Sequence, residues 1–127
     1  MESKQEAILH VLRTDLMQLE DVHQCGVVRH GLEGIFPLSE DFRQEVISIW
    51  DTLKGTIDAL FDVISHYTEF GLDKVYFELG EWDVLFFILP GMDTALVAIV
   101  PALANRGLLE VELENARREI IRILAQE

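Results

Sequence analysis

Apolar residues change their spacing several times along this chain, and each change marks an element. Within residues 3–20, Ile8, Leu12, Leu16 and Leu19 recur at helical spacing with Val11 on the flank, which predicts a first helix. Glu2 and Glu6 suit its start. Residues 23–29, with Val27 and Val28 as the apolar part, and residues 32–38 read as two short strands around a His30-Gly31 turn. Ile35 or Phe36 points inward depending on register, and Pro37 fits the end of a strand. A long helix is then predicted over residues 41–70. Ser39 or Asp41 caps it, and Asp41 with Gln44 has the spacing of a capping box. Its apolar stripe is Phe42, Val46, Ile49, Trp50, Leu53, Ile57, Leu60, Ile64 and Tyr67. Ile47, Phe61 and Val63 lie about 60–100° off the stripe centre, so the stripe is wider than one sheet face needs. Gly71 ends the helix.

The back third is a meander that feeds a closing helix. In residues 74–79, Val75, Phe77 and Leu79 alternate with Tyr76 and Glu78, so this strand has one wetter face. Residues 82–89 and 94–100 are apolar on both faces and read as central strands covered on both sides. Gly80-Glu81 and Gly91-Met92-Asp93 are the turns, and Pro101 stops the last strand. Asn105 caps a final helix with Leu109, Leu113, Ala116, Ile120 and Leu124 on one face and Ile121 and Ile123 flanking. Arg117, Arg118 and Arg122 fall in its C-terminal half, where they complement the helix dipole. The order α-β-β-α-β-β-β-α predicts a single domain over residues 1–127, α/β of the α+β kind. A five-stranded antiparallel sheet would carry the long middle helix on one face and the two terminal helices on the other.

Composition narrows the function. The 127 residues are 50% hydrophobic and 26% charged, enough for a real core. A formal net charge of −13 argues against nucleic acid and against an anionic membrane surface. It fits a partner with a basic patch, or an acidic surface that only keeps the protein soluble. Cys25 is the one cysteine, so no internal disulfide forms. The N-terminus is polar, and the apolar runs fall far short of the roughly 20 residues of a membrane span. The expected place is the cytoplasm, without membrane insertion.

Reactive chemistry is sparse. His23, Cys25 and His30 could suggest a metal site, but no further ligand stands at a diagnostic spacing, and Cys25 reads as a small buried hydrophobe. The four histidines are scattered, with no nucleophile motif beside them. Gly31-Leu32-Glu33-Gly34 lacks the Lys-Ser/Thr of a phosphate loop. We therefore expect no catalytic residue, no metal and no cofactor. The back of the long helix is Gln44, Ser48, Asp51, Gly55, Asp58, Asp62 and His66, in a stretch where acids far outnumber Arg43 and Lys54. Gly55 on that side would let a partner approach, or is a tolerated glycine on a solvated face. Trp50 suits core or dimer packing, and Trp82 the edge of the core or the rim of an interface.

Three local patterns set this element order beside a known family: Gly26-Val27-Val28 with Gly31-Leu32, the meander itself, and Asn105-Arg106-Gly107-Leu108-Leu109 leading into Leu113 and Ala116. Over nearly its whole length the chain resembles the Roadblock dynein light chain family, a longin-like fold. His30 departs from the acidic residue that often precedes the turn glycine there. The resemblance implies a non-catalytic homodimer in which residues 74–79 pair with their copy across a two-fold axis and the long helices lie side by side. It implies a Ras-like small GTPase as partner, or a structural adaptor role like that of a dynein light chain. On that reading Lys74, Val75, Tyr76, Phe77, Glu78, Leu79, Ile47 and Phe61 form the dimer interface. Arg43, Gln44, Ser48, Asp51, Gly55, Asp58 and Asp62 are the candidates for partner binding. The residues also speak for a dimer on their own. An alternating edge strand needs pairing or blunting: Lys74 and Glu78 would blunt it in a monomer, whereas two-fold pairing would bring Lys74 towards Glu78 of the second copy. A small-molecule sensor with a cavity between helix and sheet is a further alternative, although Phe61, Phe86 and Phe87 would tend to fill that space.

Overall fold

The computed structural model describes residues 3–22, 24–29, 32–35, 44–89 and 94–125, with 32–35 and 44–46 described by their backbone alone. Helix α1 (Lys4–Val11) is capped by the Ser3 hydroxyl, which accepts from the Glu6 N–H at 3.1 Å. It runs on into one π-helical turn, Leu12–Leu16, and stops short of the expected residue 20. Strands β1 (Gln24–Arg29) and β2 (Leu32–Ile35) follow. The parts of the predicted first hairpin at His23, at His30-Gly31 and at residues 36–38 lie outside the described residues, as do the caps Ser39 and Asp41 and the turn at 91–93.

The predicted long helix is two helices, α2 (Gln44–Lys54) and α3 (Ile57–Ser65), followed by a short 3-10 turn at Thr68–Phe70. The break falls at Gly55-Thr56. There the Gly55 and Thr56 N–H groups reach back only three residues, to the carbonyls of Thr52 and Leu53, and the Thr56 hydroxyl also donates to Leu53. A threonine bonded to its own helix loosens it, and the neighbouring glycine adds the poorest helix propensity short of proline. Gly71, at φ 79°, then closes the 3-10 turn in the left-handed region.

The meander is β3 (Lys74–Glu78), β4 (Trp82–Leu89) and β5 (Thr94–Pro101), with Pro101 as the last strand residue. The sheet order is β2-β1-β5-β4-β3, antiparallel throughout. Strands β1, β5, β4 and β3 pair along their lengths. Strand β2 is attached at two positions, Val27↔Ile35 and Arg29↔Leu32, with an irregularity between them. Every residue of β4 is buried, as is every residue of β5 except Pro101, which explains their continuous apolar runs.

Helix α4 (Arg106–Ala125) begins where the Asn105 side chain accepts from the Leu108 N–H at 3.2 Å. It lies with α1 on one face of the sheet, over Cys25, Val27, Leu85, Phe87, Leu89, Leu96, Ala98 and Val100. The opposite face carries α2 and α3 over Val28, Val84, Phe86, Ile88, Ala95, Val97 and Ile99. Strict alternation along β4 and β5 thus feeds two cores from one sheet. Ile123, expected on the flank of α4, is buried, while Leu124 is half-buried.

Candidate interaction surface

Among the described residues strand β3 is the edge of the sheet, paired on one side, with β4. Its Val75 and Phe77 are half-buried against the α2–α3 core, and Phe77 meets Phe86 edge to face at 6.1 Å. Lys74, Tyr76 and Glu78 point to the α4 side, opposite Phe87, Leu85 and Asp83. Leu79 follows in the turn, 50% exposed, its N–H donating to the Trp82 carbonyl. Gly80 sits at φ 82°, the left-handed conformation this turn needs.

Between this edge and α2 lies an open apolar groove of about 360 Å³, lined by Ser48, Ile49, Thr52, Leu53, Thr56, Phe77, Leu79 and Val84. The Thr52 and Thr56 hydroxyls are turned back onto the carbonyls of Ser48 and Leu53, so they offer little polarity to the groove. The same flank continues along α3 as Val63 and Tyr67, both about half exposed, and reaches the largely exposed Phe70, whose ring lies 6.4 Å from that of Tyr67.

The sequence candidates separate on these helices. Ser48, Asp51, Gly55, Asp58 and Asp62 are exposed along the outer side of α2 and α3. Gln44 starts α2, and Arg43 lies outside the described residues. Ile47 is half-buried. Phe61, expected at a dimer interface, is instead 5% exposed and packed into the core. The buried set is Trp50, Leu53, Ile57, Phe61 and Ile64, so the helices are turned by about 40° from the predicted stripe, at about 100° per residue. That turn brings Phe61 in and puts Val63 and Tyr67 out. Trp50 and Trp82 are both buried in the same core.

The far side of β3 is held by a polar row on α4 that sequence reasoning missed. Arg106 pairs with the buried Asp83 and stands 5.2 Å from the Tyr76 ring. The Tyr76 hydroxyl donates to Glu110 at 2.7 Å. Burial and that neighbouring carboxylate push the Tyr76 phenol up to about 12. Arg117, read from sequence as a dipole partner, is 6% exposed. It donates to the carbonyls of Asp73 and Ile88 at 3.1 Å each, and pairs with the carboxylates of Asp73 and Glu114. Burial pushes the Cys25 thiol up to about 12 as well, which makes it an inert core residue. Among the described residues no group of His, Cys, Asp and Glu is placed to hold a metal ion; His23 and His30 lie outside them.

No family model matches the chain, and no curated protein matches it in sequence. Solved structures do match in shape. A Roadblock/LC7 domain from Streptomyces avermitilis has a TM-score of 0.66 at 13% identity, covering 92% of this chain and 97% of that one. The fold is that of a Roadblock domain. The gliding protein MglB from Thermus thermophilus has a TM-score of 0.66 at 15% identity, covering 97% of this chain and 92% of that one. A structure described as MglB with tetrameric arrangement has a TM-score of 0.60 at 14% identity, covering 97% of this chain and 91% of that one. In this Roadblock fold the groove lies between the open edge β3 and α2, and the acidic residues stand on the outer side of α2 and α3.

Proposed function

We propose that the chain is a non-catalytic, dimeric scaffold that binds a Ras-like small GTPase through its paired middle helices. The observation that carries this is the open edge strand beside an apolar groove, with Leu79, Val63 and Tyr67 left half exposed. A lone chain leaves this surface to water, whereas a second copy pairing β3 with β3 would cover it. The tetrameric arrangement described for one MglB is in keeping with self-association. The GTPase as partner follows from the Roadblock resemblance, and the exposed Asp51, Asp58 and Asp62 suit a basic surface on it. Any effect on nucleotide hydrolysis would act by reshaping the partner's own loops.

A pull-down against Ras-like GTPases from the same genome, each loaded with GDP or with a GTP analogue, tests the reading. Capture in one nucleotide state, lost in an Asp51→Lys, Asp58→Lys double variant, is the expected result. No binding in either state would overturn the GTPase reading and leave a structural adaptor. An adaptor would instead co-purify with a long non-GTPase chain whatever the nucleotide.

A further inference from the structure

Strand β3 is short, lies at the edge, and among the described residues is bonded to the sheet on one side. Such a strand is the first part of a sheet to fray, because few buried contacts hold it. Its start has a special fastening. The Asp73 carbonyl accepts from the Ile88 N–H at 2.8 Å, which opens the β3–β4 ladder. One nitrogen of the Arg117 guanidinium donates to that same carbonyl and to the Ile88 carbonyl. The second nitrogen donates to the Asp73 carboxylate at 3.3 Å and to Glu114. The plane of the group stands over the Phe87 ring at 5.2 Å, with the Lys74 ammonium 5.0 Å from the same ring. A single buried side chain from α4 thus brackets the first rung of the edge strand on both of its partners. Only a planar fork with several fixed donors can do this; a lysine ammonium lacks the shape.

Arg117 does not act alone. Arg106, Glu110, Glu114 and Arg117 follow at four-, four- and three-residue steps and so lie on one side of α4. Arg106 and Glu110 hold Tyr76 in the middle of β3, and Arg117, itself paired with Glu114, holds Asp73 just before its start. The helix grips the strand at two points about three residues apart, enough to fix its twist and its register against β4.

We infer that Arg117 is a positioning residue for self-association: from α4, on the far side of the sheet, it holds β3 in the extended form that a second copy pairs with. This rests on β3 being the dimer seam. It makes the affinity of the seam depend on a helix that does not line the groove.

The experiment pairs amide hydrogen exchange with sedimentation on Arg117→Lys and Arg117→Met variants, with Tyr76→Phe as a third should either fail to fold. In Arg117→Lys we expect exchange at residues 74–78, and at Ile88 whose amide donates to Asp73, to rise at least tenfold while the amides of β1, β5 and α1 keep their protection. Self-association should weaken at least tenfold in the same variant. Unchanged exchange in β3, or an equal rise across all strands, would overturn the inference. The failure of the dimer reading looks different: the wild type would sediment as a monomer, and the exchange of β3 in that monomer would still decide whether Arg117 positions it.

Discussion

Asp83 and Arg117 are the buried charges among the described residues, and each is tied to a partner on a different element. Taking a carboxylate out of water is costly unless its charge is matched. Arg106→Ala would leave Asp83 buried at 3% exposure without its guanidinium and Tyr76 without its cation. Because Arg106 is itself one-third exposed, the loss should be about 1–3 kcal/mol, less than for a fully buried pair. Urea denaturation of the variant checks this, and an unchanged midpoint would show that the pair is idle. Tyr76 supplies a second check. Its phenol is raised from 10.0 to about 12, first by burial and then by Glu110. The folded state therefore favours the protonated form. Its contribution is complete below pH 10, the unfolded value, and is lost as pH rises from there through about 12. Ultraviolet titration of the wild type minus that of Tyr76→Phe should show a phenolate midpoint near 12 in the native protein; a midpoint near 10 would mean that the hydroxyl is free in solution.

Glycines separate the elements by two different means. Gly80 holds a positive φ, so Gly80→Ala should cost about 1–2 kcal/mol through left-handed strain. Gly55 does not: a methyl group there would meet nothing closer than the Thr52 carbonyl at 3.5 Å. Gly55→Ala should therefore be neutral or stabilising by up to about 1 kcal/mol, as measured by denaturation, although it stands at the break between α2 and α3. If it destabilises instead, the break depends on glycine rather than on the Thr56 hydroxyl. The break was hidden in the sequence because Trp50, Leu53, Ile57, Phe61 and Ile64 keep a helical spacing straight through it. Periodicity records which side is buried, and a two-residue interruption that preserves the phase leaves no mark on it. Strand β4 was legible to the residue, since an unbroken apolar run between two turns admits few alternatives. The burial of Arg117 was not legible, because a charged residue on a helix flank reads as solvated until the strand beneath it is known. Phe61 was misplaced for a related reason. The half-buried Ile49 and Leu60 and the exposed Tyr67 pulled the apparent stripe towards the open flank, which is apolar without being core.

That apolar flank sets the behaviour of the whole molecule. An exposed leucine replaced by a charge normally changes stability by no more than about 0.5 kcal/mol. Leu79 is 50% exposed, and its backbone N–H bond to Trp82 survives any substitution of the side chain. Leu79→Glu should thus leave the fold of one chain intact. In a dimer joined along β3 the same carboxylate would enter an apolar seam beside Ile49 and Phe77, where it has no counter-ion to meet. Mass action turns this into a clear contrast, since a dimer's melting temperature rises with protein concentration and a monomer's does not. The wild type should sediment as a dimer at micromolar concentration and melt higher as it is concentrated. Leu79→Glu should sediment as a monomer with a melting temperature independent of concentration and with an unchanged circular dichroism spectrum. A wild-type monomer would remove the seam, and a Leu79→Glu dimer would move it to another face of the domain.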